Sequence, residues 1–176
     1  GYYPRHLSAM AGDTGVALIG VDISKWAVLA AAKQDKQTRW VVGSNANLPV
    51  LPESLDLVLC LFGFPVYSEF ARVLKPGGQV IQVDAGADHL RELREVIYPE
   101  VKPPGDFESA APEGFRQLDS TVVRFPLTLP DQASIADLLA MTPHLYRASA
   151  EGLERAAALE SLEVTVDATL KRFEKL

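Results

Sequence analysis

The acid at position 22 is the residue whose type and spacing most directly suit a chemical role. Asp22 closes the apolar segment Val16-Ala-Leu-Ile-Gly-Val and comes about 20 positions after Gly1. In open α/β sheets, an acid at this spacing from a glycine turn can accept hydrogen bonds from both hydroxyls of a nucleoside ribose. The alternative is that Asp22 only supports a helix capped by Ser24. The spacing leaves both interpretations open.

Small polar residues follow the next predicted strand. The run Ser44-Asn-Ala-Asn-Leu48 comes directly after the segment 39–43, at the sheet edge where Asp22 is also expected. Its side chains offer hydrogen-bond donors and acceptors that suit the polar edge of an adenine. A solvated loop is the alternative, and the residue types do not decide between the two.

Two phenylalanines end the most apolar of the predicted strands. Phe62 and Phe64 follow the segment 57–62, which is apolar enough to lie in the centre of a sheet. In this class of fold, the carboxyl ends of the strands are where ligands bind. The sequence therefore makes both rings candidates for contact with a substrate, with core packing as the alternative.

Titratable side chains follow the fourth predicted strand. Asp84 closes the segment 79–85, and His89 begins the helix after it. His89 suits a contact with a cofactor or a base, although a surface histidine is the simpler interpretation. His6 and His144 belong to no catalytic or metal-ligating pattern, so we expect them to be structural and expect no metal site.

These residues need elements to position them, and short apolar runs that alternate with helical patterns predict a single α/β domain over 1–176. We expect a mostly parallel, doubly wound sheet with an antiparallel C-terminal strand near its edge. The segment 98–114 holds several prolines and no periodicity, which predicts a loop. The predicted strands are 16–22, 39–43, 57–62, 79–85, a strand within 115–129 broken at Pro126, and 162–173. The predicted helices are 5–11, 25–33, 65–74, 88–97, 134–141 and 150–159, with a turn at 75–78 and a capping box from Ser134 to Asp137.

Composition and charge narrow the class of protein. The 176 residues carry a net charge of −6, which argues against strong autonomous binding of RNA but leaves RNA possible as a substrate. The single cysteine, Cys60, excludes an intrachain disulfide and a cysteine metal cluster, and we expect it to be a buried hydrophobe. The longest apolar stretch is too short to span a bilayer, so we expect a cytoplasmic protein with no membrane partner.

Longer motifs resemble one family. The motifs in the first half of the chain are Gly1-Tyr-Tyr, Gly20-Val-Asp-Ile-Ser-Lys25, Ala30-Ala-Ala-Lys33, Leu48-Pro49 and Ala71-Arg-Val-Leu-Lys-Pro-Gly-Gly78. The more specific motifs lie further along the chain: a helix led by His89, then Gly114-Phe115, then Leu139-Ala-Met-Thr-Pro143 followed by Arg147. Together these motifs cover essentially the whole chain and resemble those of the bacterial 23S rRNA (guanine-N1)-methyltransferases, which have a Rossmann-like class I fold.

The resemblance implies a cofactor and residues that bind it. S-adenosylmethionine would be the methyl donor, Gly1 the last glycine of its loop, and Asp22 the ribose acid. His89 matches a family position that contacts the cofactor. The cofactor set implied in this way is Gly1, Tyr2, Asp22, Ile23, Ser44, Asn45, Ala46, Leu48 and His89.

The chain departs from the family at three places. The strand and glycine loop expected before Gly1 are absent, so we expect the first strand of the fold to be missing from this chain. The family's N-terminal zinc-binding module is also absent, and zinc is expected only there. Finally, Phe62-Gly-Phe-Pro65 stands where the family tends to have Tyr-Ala-Pro-Cys, which leaves the identity of the methylated base in question.

The implied reaction sets demands on the site. Guanine N1 carries a proton and lies on the Watson–Crick edge, so the base of the 23S rRNA must be unpaired and an acceptor must take the proton. Asp84 is the candidate acceptor, and Phe62, Phe64 and Tyr2 are candidates to stack on the base. A small-molecule methyltransferase, an inactive fragment and a homodimer remain open alternatives, because fold does not determine function.

Overall fold

A computed structural model describes Tyr3, His6, Leu7, residues 15–101 and residues 110–176. These residues form two compact units. One unit contains residues 15–56 and 64–78, and the other contains residues 57–63 and 79–176 apart from the gap at 102–109. The strands are β1 (Ile19–Asp22), β2 (Arg39–Val42), β3 (Leu55–Leu61), β4 (Leu74–Ala85), β5 (Phe115–Leu129) and β6 (Leu162–Lys175). The helices are α1 (Lys25–Gln34), α2 (Tyr67–Val73), α3 (Arg91–Ile97), α4 (Gln132–Ala140) and α5 (Ala150–Ala157).

The first unit is built on a parallel strand pair. Strands β1 and β2 pair in register from Ile19 opposite Arg39 to Asp22 opposite Val42. The connecting helix α1 begins where the sequence supplies a cap, since the hydroxyl of Ser24 accepts a hydrogen bond from the amide of Ala27 at 3.3 Å. The two parallel strands therefore end at the same edge, as the sequence predicted.

A buried acid shapes the connection from α1 to β2. The carboxylate of Asp35 accepts hydrogen bonds from the amides of Gln37 and Thr38, at 2.9 and 3.2 Å. It also accepts one from the hydroxyl of Thr38 at 2.6 Å. Because a buried carboxylate is stable only when it is well hydrogen-bonded, this cluster fixes where β2 starts.

The second sheet has four strands in the order β3-β4-β6-β5. Strand β6 is antiparallel to β4, from Gln79 opposite Glu174 to Ala85 opposite Ala168, and antiparallel to β5 along almost its full length. The prediction of an α/β fold with an antiparallel C-terminal strand near the sheet edge is confirmed, since β6 lies next to the edge strand β5.

The core of the second unit lies between β5, β6 and the helices α3, α4 and α5. Close packing of α3 and α5 depends on Gly152, because a Cβ atom at this position would overlap the carbonyl of Ile97. The guanidinium Nε of Arg155 also donates to the carbonyl of Val96 at 2.9 Å. The buried core side chains are Leu90, Leu93, Ile97, Leu129, Ile135, Leu139, Ala156 and Val164.

Several predicted strand bounds were wrong. Strand β1 begins at Ile19 rather than at 16, and Val16 is 59% exposed, so the front of this apolar run is not a buried strand. The segment predicted to be central, now β3, is one of the two edge strands of the four-stranded sheet within the described residues. Of its side chains only Cys60 is buried, which confirms the expected burial of the cysteine.

Two strands continue through residues where proline or glycine led us to predict a break or a turn. Strand β5 runs unbroken through Pro126, which lies opposite Thr165. Proline is tolerated there because β5 is an edge strand, where a missing amide breaks no ladder on the outer side. The predicted turn at 75–78 is instead part of β4, with Gly77 at a φ of +74°.

Helix boundaries differ by a few residues from the prediction. Helix α2 starts at Tyr67, two residues later than predicted, and α3 starts at Arg91 rather than at 88. Helix α4 starts at Gln132 because its cap is Asp131, whose carboxylate accepts the amide of Ser134 at 2.7 Å. The predicted capping box that opened at Ser134 is therefore wrong.

Two predicted segments fall largely outside the described residues. The helix 5–11 is described only at His6 and Leu7, and the loop 98–114 lacks residues 102–109. The described parts of that loop contain neither helix nor strand. Over the described ranges, every helix is too short or too polar to cross a bilayer.

The glycine contact between α3 and α5 gives a test of the core. We expect Gly152→Ala to lower the free energy of unfolding by about 1–3 kcal/mol, because the added methyl group must push α5 away from Ile97. Urea unfolding followed by circular dichroism measures the loss. Glu151→Ala, an exposed change on the same helix, is the control and should alter stability by less than about 0.5 kcal/mol. Equal stability of the two variants would contradict this packing.

Candidate functional site

Asp22 stands at the carboxyl end of β1 with its carboxylate exposed. One oxygen, Oδ1, accepts the amide of Ser24 at 2.7 Å, which holds the side chain in a fixed orientation. The carbonyl of Asp22 accepts the amide of Gly43 at 3.0 Å, so the segment after β2 begins directly beside it. Among the described residues, the second carboxylate oxygen has no hydrogen-bond donor, and it lies next to the start of the polar loop.

The loop 44–48 after β2 is held in place by a charged network. The carboxylate of Glu69 accepts the amide of Leu48 at 2.7 Å and pairs with Arg72 at 2.6 Å. The same guanidinium donates to the carbonyls of Leu48 and Val50, both at 3.0 Å. The hydrogen bond from Arg72 holds the pKa of Glu69 below its ordinary value. The backbone of this loop is therefore fixed by side chains of α2.

Within the loop, the predicted cofactor residues differ in what they expose. The side-chain Nδ2 of Asn45 donates to the carbonyl of Phe64 at 3.0 Å, so one of its hydrogen-bond donors is engaged within the protein. Ser44 and Ala46 are exposed, whereas Leu48 is buried at 8% exposure. Ile23, beside Asp22, is 78% exposed. The first unit brings Asp22 and the loop together, while Leu48 contributes to its core.

The second unit places Phe62 against His89. Their rings are stacked, with centroids 5.3 Å apart and planes inclined by 26°. Phe62 has a φ of 51°, a left-handed conformation that costs a non-glycine residue roughly 1–2 kcal/mol. Its amide donates to the carbonyl of Val83 at 2.8 Å, which ties the strained residue to β4. Phe62 remains 48% exposed, so one part of the ring is open to solvent.

The turn from β4 to α3 is organised by the buried carboxylate of Asp167 on β6. This carboxylate accepts the amide of Asp88 at 3.0 Å, and the backbone carbonyl of Asp167 accepts the amide of Gly86 at 2.8 Å. A Cβ atom at Gly86 would overlap the carboxylate, so only glycine fits this approach. The turn that carries His89 is thereby fixed to β6.

The same strand sets the proton position on His89. The amide of Asp167 donates to Nδ1 of His89 at 3.3 Å, so the neutral imidazole carries its proton on Nε2. Burial lowers the pKa of His89, opposed in part by its contacts with Asp167. At neutral pH, His89 is an uncharged ring that can donate one hydrogen bond from Nε2.

Helix α3 is tied to β6 by a second contact. The carboxylate of Glu92 accepts the amide of Thr165 at 2.7 Å and its hydroxyl at 2.6 Å. Burial opposes ionisation, but the bonds from Thr165 hold the pKa of Glu92 below its ordinary value. Sequence reasoning missed Asp167, Gly86 and Glu92, because no local pattern links residues so far apart along the chain.

Asp84 lies at the carboxyl end of β4, where the sequence placed it. Its Oδ2 atom accepts the side-chain amide of Gln82 at 2.7 Å, and its charge raises the pKa of the Cys60 thiol after the larger effect of burial. A thiol with a raised pKa is a poor nucleophile, which fits the structural role predicted for Cys60. Phe64, in the first unit, is 90% exposed.

Two predicted cofactor residues, Gly1 and Tyr2, lie outside the described residues. Over the part of the chain that the structure describes, no group of three histidine, cysteine or acidic side chains is arranged to hold a metal ion.

The two half-buried histidines, His89 and His144, give a pH prediction. Burial lowers the pKa of both His89 and His144 below 6.5, so the unfolded chain takes up protons first as the pH falls. Their contribution to stability is complete above pH 6.5 and is lost progressively below it. We expect the Tm of the wild type to fall from about pH 7.5 to 5.5. The double variant His89→Gln/His144→Gln should fall less, and parallel curves would contradict this account.

Comparison with known proteins shows what the chain resembles. Residues 1–82 match the family model described as a methyltransferase domain. A Bacillus subtilis (strain 168) protein, YxjB, provisionally named as a 23S rRNA (guanine-N1)-methyltransferase, is 34% identical over an alignment of 170 residues that covers 92% of this chain and 60% of that protein. A demethylmenaquinone methyltransferase of Oceanobacillus iheyensis is 35% identical over 105 residues, 52% of this chain and 43% of that protein.

Solved structures give the fold. An S-adenosylmethionine-dependent methyltransferase from Methanosarcina mazei superposes with a TM-score of 0.54 at 16% identity, covering 98% of this chain and 86% of that one. The chain spans 60% or less of the lengths of the two curated relatives. The chain therefore has the fold of that solved methyltransferase structure, and its first 82 residues are similar to a methyltransferase domain.

Proposed function

We propose that this chain carries out methyl transfer from S-adenosylmethionine to N1 of a guanine in 23S rRNA. The observation that supports S-adenosylmethionine as the cofactor is Asp22, an exposed carboxylate at the end of a parallel strand. One of its oxygens accepts the amide of Ser24, and the other has no donor in the part of the chain that the structure describes. The proposal of 23S rRNA as the substrate is supported by the similarity to YxjB along most of the chain.

The residues of the first unit fit a nucleoside. The free oxygen of Asp22 suits the ribose hydroxyls, because a carboxylate accepts hydrogen bonds without needing a proton of its own. Exposed Ile23 and the loop residues Ser44, Asn45 and Ala46 offer an apolar and a polar surface to the adenine. In our proposal Gly1 and Tyr2 complete this set, and buried Leu48 supports the loop from beneath. When bound, S-adenosylmethionine supplies an electrophilic methyl group.

His89 has a separate part in the proposal. Its Nε2 proton points to a donor role, since Nδ1 already accepts the amide of Asp167. A neutral donor suits a carboxylate or carbonyl oxygen of the cofactor. Because burial keeps the ring neutral, it adds no positive charge near an electrophilic methyl group.

The acceptor base needs stacking and a place for its proton. The open part of Phe62 and the exposed ring of Phe64 are our candidates to stack on the guanine. Formation of the N1–methyl bond releases the N1 proton, and we assign its acceptance to the carboxylate of Asp84 at the end of β4. Most of the acceleration then comes from orientation and from a preorganised polar environment.

A small-molecule substrate is the second candidate. The net charge of −6 gives the chain no overall attraction to phosphates. A stretch of 105 residues also matches a relative named for a quinone substrate. The match to YxjB extends much further along the chain, which is why we place RNA first.

Cofactor binding tests the role of Asp22. We expect Asp22→Asn to weaken S-adenosylmethionine binding at least about tenfold, because the amide keeps the acceptor for Ser24 but replaces the second carboxylate oxygen. Isothermal titration calorimetry measures the change. Asp137→Asn, at an exposed position of α4, makes the same charge change and should bind as the wild type does. Equal affinity of the Asp22 variant would overturn the assignment.

The base identity has its own test. Deproteinised, unmethylated 23S rRNA is incubated with the chain and the cofactor, and reverse transcription is used to map stops, because a methyl group on N1 blocks Watson–Crick pairing. We expect one new stop at a guanine, and its loss with Asp84→Asn. Cofactor binding without any stop would reject the rRNA target while leaving the methyltransferase assignment intact.

A further inference from the structure

The turn between α4 and α5 exposes an aromatic ring and a cation side by side. Tyr146 is 87% exposed and Met141 is 83% exposed, which is unusual for large apolar side chains in a packed unit. Arg147 is exposed next to Tyr146, and within the described residues no carboxylate pairs with its guanidinium. We refer to residues 141–147 as the α4–α5 turn.

The α4–α5 turn is anchored through His144 to Tyr98, the residue that follows α3. The hydroxyl of Tyr98 lies 2.9 Å from Nδ1 of His144, and the two rings meet edge to face with centroids 5.7 Å apart. The amides of Arg147 and Ala148 donate to the carbonyl of His144, at 3.0 and 2.9 Å. Tyr146 and Arg147 thus project from a braced turn.

Two arginines lie near His144 although the chain is acidic. Arg94 lies in α3, four residues before the C-cap Tyr98, and its Nη2 donates to the carbonyl of Ala87 at 2.6 Å. Its buried Nε has no partner within the described residues. Burial lowers the pKa of His144, and the positive charges of Arg94 and Arg147 lower it further. A phosphate would offset the positive charge of these two arginines.

These features together fit unpaired RNA better than a protein or a lipid surface. Exposed aromatic rings stack on bases that are splayed out of a helix, and an adjacent arginine contacts the phosphate. We propose that the α4–α5 turn binds single-stranded RNA that flanks the target nucleotide, with Tyr146 stacked on a base and Arg147 on a phosphate. This inference rests on the proposed rRNA methylation, and it names a surface of the chain that would hold that RNA.

The test measures RNA affinity separately from catalysis. The probe is a fluorescein-labelled, mixed-sequence single-stranded RNA of about ten nucleotides, titrated with the 176-residue chain by fluorescence anisotropy. We expect Tyr146→Ala to weaken binding about tenfold, whereas Tyr146→Phe keeps the stacking face and binds as the wild type does. We expect Arg147→Ala to reduce the slope of log affinity against log salt by about 0.7, and Arg147→Lys to keep it.

Controls separate this inference from the proposed function. Arg39→Ala removes an exposed charge at the start of β2 and should change neither affinity nor slope. S-adenosylmethionine binding should be equal in all variants, because the turn is assigned no cofactor contact. Unchanged RNA affinity in both alanine variants would overturn the inference, even if the wild type methylates guanine. A loss of cofactor affinity in step with RNA affinity, or a change in self-association with Tyr146→Ala, would overturn it too.

A wild type that fails to bind the RNA would also overturn this inference. The proposed function fails by a different readout, the absence of a reverse-transcription stop on 23S rRNA. Weakened RNA binding in the variants without any such stop would leave the RNA surface standing and remove only the guanine assignment.

Discussion

The arrangement of the second unit depends on one buried carboxylate, that of Asp167 on β6. It accepts the amide of Asp88, occupies the space that a side chain at Gly86 would need, and belongs to the residue whose amide sets the proton position on His89. A buried carboxylate without such partners would be strongly destabilising. Strand β6, which pairs with both β4 and β5, therefore also fixes the orientation of the His89 ring, our candidate hydrogen-bond donor to the cofactor.

In the first unit, the orientation of the candidate acid Asp22 is fixed in a different way. There the acid is exposed, and its orientation comes from a short-range bond to Ser24 rather than from burial. The neighbouring loop is held from α2 by the Glu69–Arg72 pair. The pair is half-buried, with 35% of the Arg72 side chain and 12% of the Glu69 side chain exposed, and its hydrogen bonds to the loop backbone restrict the positions that the loop can adopt. In each unit, the segment that carries our candidate binding residues is thus held by side chains that the sequence patterns did not reveal.

The sequence could predict most interactions whose partners lie close together along the chain, and it failed where the partners lie far apart or depend on the sheet order. The acid at the end of β1 and the cap at Ser24 are local, and both were predicted. The cap of α4 was assigned to Ser134 because a local motif was present, but the nearby carboxylate of Asp131 takes that role. Pro126 was read as a strand break, since an edge position cannot be recognised without the sheet order. The contact of Asp167 with His89 joins residues 78 positions apart, which no periodicity can report.

The central claim is that Asp22 and the loop after β2 hold a nucleoside cofactor. Amide chemical shifts of the ¹⁵N-labelled chain, recorded during titration with S-adenosylmethionine, test it most directly. We predict the largest shifts of the first unit at Asp22–Ser24 and at residues 44–48, all saturating at the same ligand concentration. Shifts confined to other residues, or none at saturating cofactor, would contradict it.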